Sequence, residues 1–481
     1  MSTELSGEQD ITIDTLDDIR AVARDAPDAA GLNPIGLREV VRGAAAARTL
    51  ADVLLRLGVP GGSIVAVLTD PVPKSAGPGG GDVVEVVHDA LAPRYRPVPV
   101  RLHPAGAGIV HADERTVEDA VAGVKAVVPG SLVSVGSGTL ADIGKVAAHR
   151  LGLVHVVVQT AASVNGFADD QSVLLLNGTK RTTPSRWPEA VVIDSGIVAA
   201  APRAMTGSGL GDQLSMFTAA ADWYLAAAAG FDASYSPTVV RVLRQGTTEL
   251  LGAAEGLRRG DPDAVVALAA SLTRGGLAMG LAGRTSPSSG AEHTISHLLD
   301  MHAGAHDTAA ASHGSQVGVA SVVAAAIWHR VRARLTGSRV VVRPLDEEQL
   351  RQRVSASFTP LDEDGATARE CWTAYRRKLT WVNAHRDRLQ RLCDDWGSHD
   401  PVAADLLAAP ETIAGTLRTA GAASRFAELE PAPEPGTAGW AVANCHLMRD
   451  RFTVVDLAEI AGLWTGEDVA DVLHWTQRLL Q

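Results

Sequence analysis

Apolar residues in the first two hundred positions fall into short runs that alternate with helical patterns. The runs GSIVAVLTD (62–70), LVSVGSG (132–138) and VHVVVQT (154–160) are almost continuously apolar, which is typical of strands buried on both faces. Between them, segments such as RTVEDAVAGVKAV and ADIGKVAAHRLG carry apolar residues three or four positions apart, as amphipathic helices do. This alternation predicts a parallel, doubly wound sheet.

The pattern changes after about residue 205. Segments such as SMFTAAADWYLAAAA and TVVRVLRQGTTELLGAAEGLRR are rich in alanine and keep a helical period, and no alternation with strands continues. We therefore predict three parts: a flexible leader over 1–30, an α/β domain over 31–205 and a helical domain over 206–481.

Composition and charge limit the classes of partner. The 481 residues suit two domains, and 46% of them are hydrophobic although only 4% are aromatic. The net charge of −12, without a basic stripe, excludes nucleic acid and anionic membranes as expected partners. An anionic small ligand would need a local cluster of positive charge or a metal. The sequence leaves the oligomeric state open, and a homo-oligomer is among the alternatives.

Cysteine usage and the N-terminal sequence predict a cytoplasmic protein. Cys371, Cys393 and Cys445 form no CxxC pattern, which fits free thiols in a reducing compartment. The acidic start MSTELSGEQDITID lacks the basic and apolar regions of a secretory signal. No run of about 18 uninterrupted apolar residues exists, so we expect no membrane segment.

A glycine-containing turn between a strand and a helix is the first candidate site. In VSVGSGTLADIGKVAA (133–148), Gly136 and Gly138 precede a helix that we expect to begin near Thr139. Glycines let a backbone approach a pyrophosphate, and free N–H groups at a helix start stabilise it. The third glycine of the usual fingerprint is missing, so a plain tight turn is an equal alternative. The next strand ends in QTAASVNGFAD (159–169), whose small and hydroxyl residues suit a cofactor crevice or a generic turn.

Acidic and histidine residues in the helical half are candidates for metal binding. We expect a glycine-rich turn over TGSGLG (206–211) with Asp212 directly after it at the start of a helix, and a helix N-cap is its favoured interpretation from that segment alone. Residues 289–321 hold five of the fifteen histidines. His293 and His297 share a helix face, either as a metal-binding pair or as one core and one surface histidine.

The other three histidines of this stretch differ in setting. We expect His302 and His306, in a loop-like Gly/Ala segment, to be exposed to solvent, whereas His313 stands where a polar turn enters an apolar helix. One acidic residue and two histidines would leave an open coordination position, as a catalytic metal requires.

Seven motifs occur in an order that resembles one enzyme family. They are GSGTLAD, TAASVNGFAD, PEAVVIDSGIV, GSGLGD, SGAEHTISH, HGSQVGVAS and LMRDRFTVVDLAEIAG. Together they resemble sn-glycerol-1-phosphate dehydrogenase and its bacterial relatives, within the superfamily of iron-containing alcohol dehydrogenases, glycerol dehydrogenase and dehydroquinate synthase. The resemblance runs from about residue 40 to 465. It implies the dehydroquinate synthase-like fold, in which a Rossmann-like domain precedes an all-helical domain and the site lies between them.

The resemblance also implies roles for individual residues. Asp212, His293 and His313 would bind the metal, Asp212 and His297 would be the catalytic groups, and Asn165 and His297 would contact substrate. The residues expected to bind NAD(P) are Gly136, Gly138, Thr139, Asp142, Thr160, Ser163 and Asp169.

Three departures from the family pattern affect these expectations. Asn165 stands where the family usually has a substrate-contacting Asp, and Asp169 stands where it has a cofactor-contacting Ser. An Asn presents one acceptor and adds donors, so the hydroxyl pattern recognised would differ. Residues 340–435 read as an insertion-like stretch. The identity of the substrate therefore does not follow from the resemblance.

The resulting expectation is a metal-dependent NAD(P)(H) oxidoreductase that acts on a small ketose or polyol phosphate. One Asp and two neutral imidazoles suit Zn²⁺ best, with Fe²⁺ or Ni²⁺ as alternatives. One alternative function is a sugar-phosphate cyclase of the dehydroquinate synthase type. That branch usually has a Glu ligand and a Gly-Gly-Lys where this chain has Asp212 and GFADD. The other alternative is a non-catalytic nucleotide-binding relative, which the change at Asn165 keeps open.

Overall fold

A parallel sheet of six strands forms the first half of the protein. The computed structural model describes residues 15–77, 79–104, 108–176, 179–362, 364–434 and 436–479. The strands lie in the order β1-β8-β5-β4-β2-β3, and every pair is parallel. Their bounds are β1 (Glu39–Gly43), β2 (Ile64–Thr69), β3 (Arg96–Arg101), β4 (Ser131–Gly136), β5 (Val154–Gln159) and β8 (Ala190–Asp194). An antiparallel hairpin of β6 (Gln171–Leu176) and β7 (Thr179–Pro184) lies apart from this sheet.

The apolar runs form this sheet because both of its faces are covered. In β2, Val65 and Val67 pack into one apolar cluster, while Ala66 and Leu68 pack into another. The edge strand β3 contains two prolines, in RPVPVR, and an edge strand tolerates prolines because one side of its backbone needs no partner. The predicted doubly wound sheet is therefore confirmed.

The strand order reverses between β2 and β4, which places the carboxyl ends of these strands at the usual ligand crevice of such sheets. The helices of this half are α1 (Leu16–Arg24), α2 (Leu50–Arg56), α3 (Val83–Leu91), α4 (Glu114–Ala126), α5 (Gly138–Leu151) and α6 (Ser195–Ala199).

Helices alone build the second half of the described chain. They are α7 (Arg203–Leu214), α8 (Met216–Ala229), α9 (Pro237–Arg244), α10 (Thr247–Arg259), α11 (Pro262–Ala282), α12 (Ala291–Ala305), α13 (His313–Gly337), α14 (Glu347–Phe358), α15 (Ala366–Ala384), α16 (Arg386–Asp394), α17 (Trp396–Leu406), α18 (Pro410–Thr419), α19 (Thr437–Asn444), α20 (Val454–Ile460) and α21 (Gly466–Arg478). Short 3₁₀ turns lie at Ala29–Gly31, Ala46–Thr49, Ser286–Ser288, Thr359–Leu361, Phe426–Glu428 and Cys445–Leu447. The insertion-like stretch 340–435 contains α14 to α18.

Two predicted boundaries need correction. The leader is not loosely ordered from residue 15 onward, because α1 carries a capping box at Thr15 and buries Ile19 and Val22 against the core. Residues 1–14 of the predicted leader lie outside the described residues. The boundary between 205 and 206 falls inside α7, so the change to helical structure comes directly after β8.

Helix α11 is long and apolar enough to cross a membrane by length and composition. Its mean hydropathy is 1.5 over the most apolar window. However, 78% of that window is buried inside the protein. Because its apolar side chains already pack against protein, we interpret α11 as a core helix.

Candidate active site

Close contacts between glycines hold the helices that carry the predicted metal ligands. A Cβ added at Gly211 in α7 would lie 2.2 Å from the carbonyl oxygen of Gly314 in α13. One added at Gly209 would lie 2.0 Å from the carbonyl oxygen of Ala162. The sequence TGSGLGD is therefore helical, and Asp212 lies near the end of α7 instead of at a helix start. Sequence reasoning predicted a turn here because glycine weakens helices, but tight packing between helices outweighs that preference.

Three helices bring Asp212, His293 and His313 together. One potential ligand atom from each of these side chains lies within 4.8 Å of the others. Oδ1 of Asp212 is 3.4 Å from Nε2 of His293. Asp212 and His293 are buried, and His313 is half-buried. The structure thus assembles the three side chains that the resemblance assigned to a metal.

Neighbouring groups leave one atom of each of these side chains available to a metal. Oδ2 of Asp212 accepts a hydrogen bond from the backbone N–H of Asn165 (2.8 Å), while Oδ1 has no hydrogen-bond partner among the described residues. Nδ1 of His293 lies 3.0 Å from Oε1 of Glu292, and Nδ1 of His313 lies 3.1 Å from the hydroxyl of Ser296. With both Nδ1 atoms engaged, Nε2 of each ring is the atom left for coordination.

The electrostatics of this cluster suit a cation. Burial acts to raise the pKa of Asp212, but the nearby imidazole of His293 holds that pKa below its usual value. Burial acts to lower the pKa of His293, yet Asp212 and Glu292 raise it overall, so the local potential is negative. Burial, with Lys180 and His293 nearby, lowers the pKa of His313 to about 3 and keeps its imidazole neutral. A neutral imidazole is the form that binds a metal, so the three residues fit a divalent ion.

His297 lies beside this cluster without being part of it. Its ring centroid is 6.2 Å from that of His293 and 5.7 Å from that of His313. Its buried Nδ1 has no hydrogen-bond partner among the described residues. Burial holds its pKa well below the usual value, with a further lowering from the neighbouring His313 and from the positive charges of Arg449 and Lys180. The ring is therefore neutral and has a free polar atom next to the three potential ligands.

The remaining two histidines of this stretch lie farther along the chain. His302 lies in α12 and is half-buried, so the prediction of an exposed loop position is wrong for it. Its ring stacks on that of His306, with centroids 4.2 Å apart, and also contacts Trp440. His306 is exposed at the end of the helix, as expected.

The predicted cofactor turn lies at the carboxyl end of β4. Helix α5 begins at Gly138, and no side chain caps its first N–H groups, which leaves them available to a phosphate. The backbone N–H of Thr160 donates to the carbonyl of Gly136 (3.0 Å), so the two predicted cofactor segments lie side by side. A Cβ at Gly138 would lie 2.5 Å from Cγ2 of Val164. Gly138 is therefore also required for packing, and Thr139 and Ser163 lie in the two segments that it brings together.

Asp142 and Asp169, both predicted to contact cofactor, lie against a buried lysine. Nζ of Lys145 lies 2.5 Å from Oδ1 of Asp169 and 3.1 Å from Oδ1 of Asp142. It also donates to the carbonyl oxygen of Gly166 at 2.8 Å, and to that of Gln171. Lys145 is fully buried, and Asp169 almost so. The two carboxylates are thus paired with Lys145. Through that lysine they join α5 to the segment 166–171.

Sequence reasoning missed the residues that orient the ligands. They are Glu292, Ser296 and Gln316, whose Oε1 accepts from Ser296 (2.9 Å). Glu292 is fully buried and also accepts from the backbone N–H of Gly290 and the hydroxyl of Thr218. The sequence did contain a signal for them, because all three lie next to or near a histidine, in EH, SH and HGSQ. The second ring nitrogen of a metal-binding histidine usually contacts a carboxylate or another polar group.

Comparison with known proteins supports the same family as the motifs. Residues 78–202 match the model of the family "Iron-containing alcohol dehydrogenase". A glycerol-1-phosphate dehydrogenase [NAD(P)+] of Haloquadratum walsbyi is 35% identical over 271 residues, which are 54% of this chain and 76% of that protein. One from Halorubrum lacusprofundi is 38% identical over 221 residues, or 46% of this chain and 61% of that relative.

Solved structures of this superfamily share the fold. The structure of a probable glycerol dehydrogenase from Sinorhizobium meliloti 1021 matches with a TM-score of 0.57 at 17% identity, over 92% of this chain and 98% of that one. At this identity the match shows the fold alone. The curated sequence relatives and the family model, taken with the ordered motifs, carry the assignment further. The chain belongs to the iron-containing alcohol dehydrogenase superfamily, as a member related to the glycerol-1-phosphate dehydrogenases.

Proposed function

We propose that the protein is a metal-dependent NAD(P)(H) oxidoreductase that interconverts a ketone and a secondary alcohol on a small phosphorylated polyol. One observation carries this proposal. Asp212, His293 and His313 present potential ligand atoms within 4.8 Å of one another, and Oδ1 of Asp212 is buried without a hydrogen-bond partner among the described residues. A buried carboxylate oxygen is costly to leave unpaired, and a bound cation would remove that cost. Because the relatives are glycerol-1-phosphate dehydrogenases, glycerol 1-phosphate is the first substrate to test.

The residues of the cluster would hold the metal, and their neighbours would hold the residues in place. A bound divalent ion supplies a Lewis acid that polarises a carbonyl or lowers the pKa of a hydroxyl. Glu292 and Ser296 fix the ring orientation of His293 and His313 through the contacts at Nδ1. The backbone N–H of Asn165 fixes Asp212 through Oδ2. The site therefore needs little rearrangement to bind an ion, because each ligand is already oriented.

His297 would act on the substrate's hydroxyl hydrogen. Its ring is neutral, and Nδ1 is free to accept a proton or a hydrogen bond. Asn165 is buried near Asp212, and its side-chain amide makes no hydrogen bond within the described residues, so it can orient a hydroxyl. Bound NAD(P) supplies or accepts the hydride. The uncapped start of α5 and the adjacent segment 160–163 would hold the cofactor's pyrophosphate.

The metal that we propose is Zn²⁺, with Fe²⁺ or Ni²⁺ as alternatives, because a carboxylate with two imidazoles suits all three. We also propose a cytoplasmic location. All three cysteines are buried and free, and burial raises the pKa of each thiol to about 12. Such thiols persist unpaired in a reducing compartment.

The test combines metal analysis with a cofactor assay. We would measure bound Zn, Fe and Ni in the purified protein, and NADH and NADPH oxidation with dihydroxyacetone phosphate, dihydroxyacetone and sugar phosphates. We expect about one ion per chain and net oxidation of NAD(P)H with a ketose phosphate. The exposed His306→Ala protein is a matched control that should keep both properties. Product formation without net consumption of NAD(P)H would instead indicate a cyclase, and would contradict the proposal.

A further inference from the structure

Three basic side chains lie in segments that pack against α12, the helix of His293 and His297, although the chain as a whole has a net charge of −12. Lys180 and Arg181 lie on β7, and Arg449 lies in the segment between α19 and α20. Nζ of Lys180 contacts Asp300 in α12, and the turn Cys445–Leu447, directly before Arg449, packs against the same helix. Both basic segments therefore lie against the helix that carries two histidines of the candidate site.

Lys180 is joined to the metal-binding helices by a chain of hydrogen bonds. Its Nζ lies 2.5 Å from Oδ2 of Asp300 in α12. The other oxygen of Asp300 accepts from Nε2 of Gln316 (3.0 Å), whose Oε1 accepts from Ser296. Ser296 in turn contacts Nδ1 of His313. This chain fixes the hairpin, and with it the ammonium group, relative to the proposed metal site.

The backbone on both sides of Arg449 is held by buried groups. Nζ of Lys378, in α15, donates to the carbonyls of His446 (2.7 Å) and Arg451 (2.8 Å) and pairs with Asp456 (2.6 Å). The guanidinium of Arg451 donates to the carbonyl of Ser289 and to the hydroxyl of Thr285. The loop that carries Arg449 is thus fixed by α15, a helix of the insertion-like stretch. The same helix contacts the hairpin, because Glu370 pairs with Arg181.

Arg449 itself is half-buried, and its guanidinium makes no hydrogen bond or ion pair with the described residues. A guanidinium offers five donors and stays charged, so enclosing it without an anion is costly. The contacts of Lys378 and Arg451 fix the backbone on both sides of Arg449, and they do not involve the Arg449 side chain. A doubly charged phosphate monoester would satisfy both the charge and the planar donor pattern.

We propose that Arg449 and Lys180 bind the phosphate group of the substrate, and that α15 positions Arg449 through Lys378. The nature of the substrate that carries this phosphate rests on the proposed function, whereas the anion site itself does not. The insertion-like stretch then has a defined role, because it supplies the helix that anchors the loop of the phosphate-binding arginine.

The test measures anion binding separately from turnover. Inorganic phosphate would be titrated by calorimetry into the metal-loaded wild-type, Arg449→Gln and Arg376→Gln proteins. Arg376 is a matched control on α15, where it is exposed and pairs with Glu347. We expect phosphate affinity to fall at least tenfold in Arg449→Gln and to stay unchanged in Arg376→Gln. The KM for dihydroxyacetone phosphate should rise by a similar factor in Arg449→Gln. The kcat/KM for dihydroxyacetone, which lacks a phosphate, should change less than twofold.

Other results would overturn the proposal or separate it from the proposed function. Equal phosphate affinity in wild-type and Arg449→Gln would overturn it, as would a rise in the KM for NADPH alone, which would assign the arginine to the cofactor. Should Arg449→Gln fail to fold, Lys180→Gln is expected to lose phosphate affinity in the same way, and unchanged binding there would overturn the proposal. Phosphate binding that depends on Arg449, with no turnover of any ketose phosphate, would support the anion site and contradict the proposed function.

Discussion

Two buried clusters of charged side chains lie on either side of Asn165, and they differ in how fully their charges are paired. Around Lys145, the ammonium group contacts Asp169, Asp142 and two backbone carbonyls. Around Asp212, one carboxylate oxygen accepts from a backbone N–H and the other has no hydrogen-bond partner among the described residues. Both clusters are almost closed to solvent. The first is satisfied by the protein alone, whereas the second leaves one buried carboxylate oxygen without a hydrogen-bond partner among the described residues.

How fully a buried charge is paired distinguishes a residue that stabilises the fold from one that binds a ligand better than its degree of burial does. Buried charges are expected to be paired, and a fully buried group whose polar atoms are all satisfied within the protein is explained by folding alone. Asp142 and Asp169 were predicted to contact cofactor from their place in the motifs, and the structure shows them paired with Lys145, which also gives them a structural role. The metal-binding role of Asp212 stays a prediction, and its incompletely satisfied carboxylate agrees with that role.

Removing a ligand from the incomplete cluster should give the largest effect. We expect His313→Ala to lower metal affinity by more than about a hundredfold, since loss even of an orienting neighbour costs ten- to a hundredfold. Turnover should fall at least as far, while the free energy of unfolding of the metal-free protein changes by no more than about 1–2 kcal/mol. Metal content, NAD(P)H oxidation and urea unfolding in the presence of a chelator test the three expectations. Full metal occupancy in this variant would remove His313 from the site.

Breaking the complete cluster should instead affect stability. Lys145→Met leaves Asp169 buried without its counter-ion, which we expect to lower the free energy of unfolding by about 3–5 kcal/mol. Burial already raises the pKa of Asp169 to about 7 despite Lys145, so loss of the lysine should raise that pKa further. A carboxyl with a raised pKa destabilises the folded state most above that pKa. The variant should therefore regain stability as pH falls.

Urea unfolding at several pH values measures this effect, with metal content as the second readout. The double variant Lys145→Met, Asp169→Met should recover part of the loss, because replacing both members of a buried pair by apolar groups is often neutral. A Lys145→Met protein as stable as wild-type would show that the comparison between the clusters fails.

An intermediate effect is expected at Glu292, which orients His293. Glu292→Gln keeps the shape of the side chain but removes the negative charge next to Nδ1. We expect metal affinity to fall about ten- to a hundredfold, which is the usual cost of losing such a partner. Competition with a chromogenic chelator measures it. The matched control is Glu255→Gln on α10, where the exposed Glu255 pairs with Arg259 and affinity should not change. Equal affinities for the two variants would contradict an orienting role.

The smallest effect is expected at Asn165, which links the two clusters. Its N–H donates to Asp212, while Lys145 holds the carbonyl of the following Gly166. Asn165→Asp should keep the backbone in place and change only the pattern of donors and acceptors offered to substrate. Mismatched polar groups cost roughly 1–3 kcal/mol, so we expect about a tenfold rise in kcat/KM for dihydroxyacetone phosphate. A wild-type protein that already uses this ketone efficiently, with no gain in the variant, would show that Asn165 is a neutral substitution.

Most of the sheet could be predicted from the sequence because its signals are local. Apolar runs such as IVAVLT and VHVVVQ identify buried strands without knowledge of the rest of the chain. Sequence reasoning did not predict the hairpin, because β7, TKRTTP, has no apolar alternation. It is a strand only because it pairs with β6. Helix α7 was read as a turn because the packing that favours its glycines comes from α13, about a hundred positions away.

The residues of the candidate site also fall into those that could be predicted from the sequence and those that could not. Asp212, His293 and His313 could be predicted as ligands because each lies in a short motif that resembles those of a known family. Arg449 also lies in such a motif, LMRDRFTVVDLAEIAG, but Lys180 does not, and nothing in the two segments links them. Only the folded chain places both segments against α12. A sequence motif can identify ligands, but it cannot identify groups whose only common property is their position in space.

The glycine contact between α7 and α13 has a consequence for how this site can evolve. Gly211 and Gly314 approach so closely that any added carbon would displace a backbone, and Gly318 meets Cα of Gly211 in the same way. The distance between the helices that carry Asp212 and His313 therefore depends on the absence of side chains at these glycines. A methyl group added at any one of them would push α7 and α13 apart. It would thereby act on the candidate metal site without changing any of its side chains.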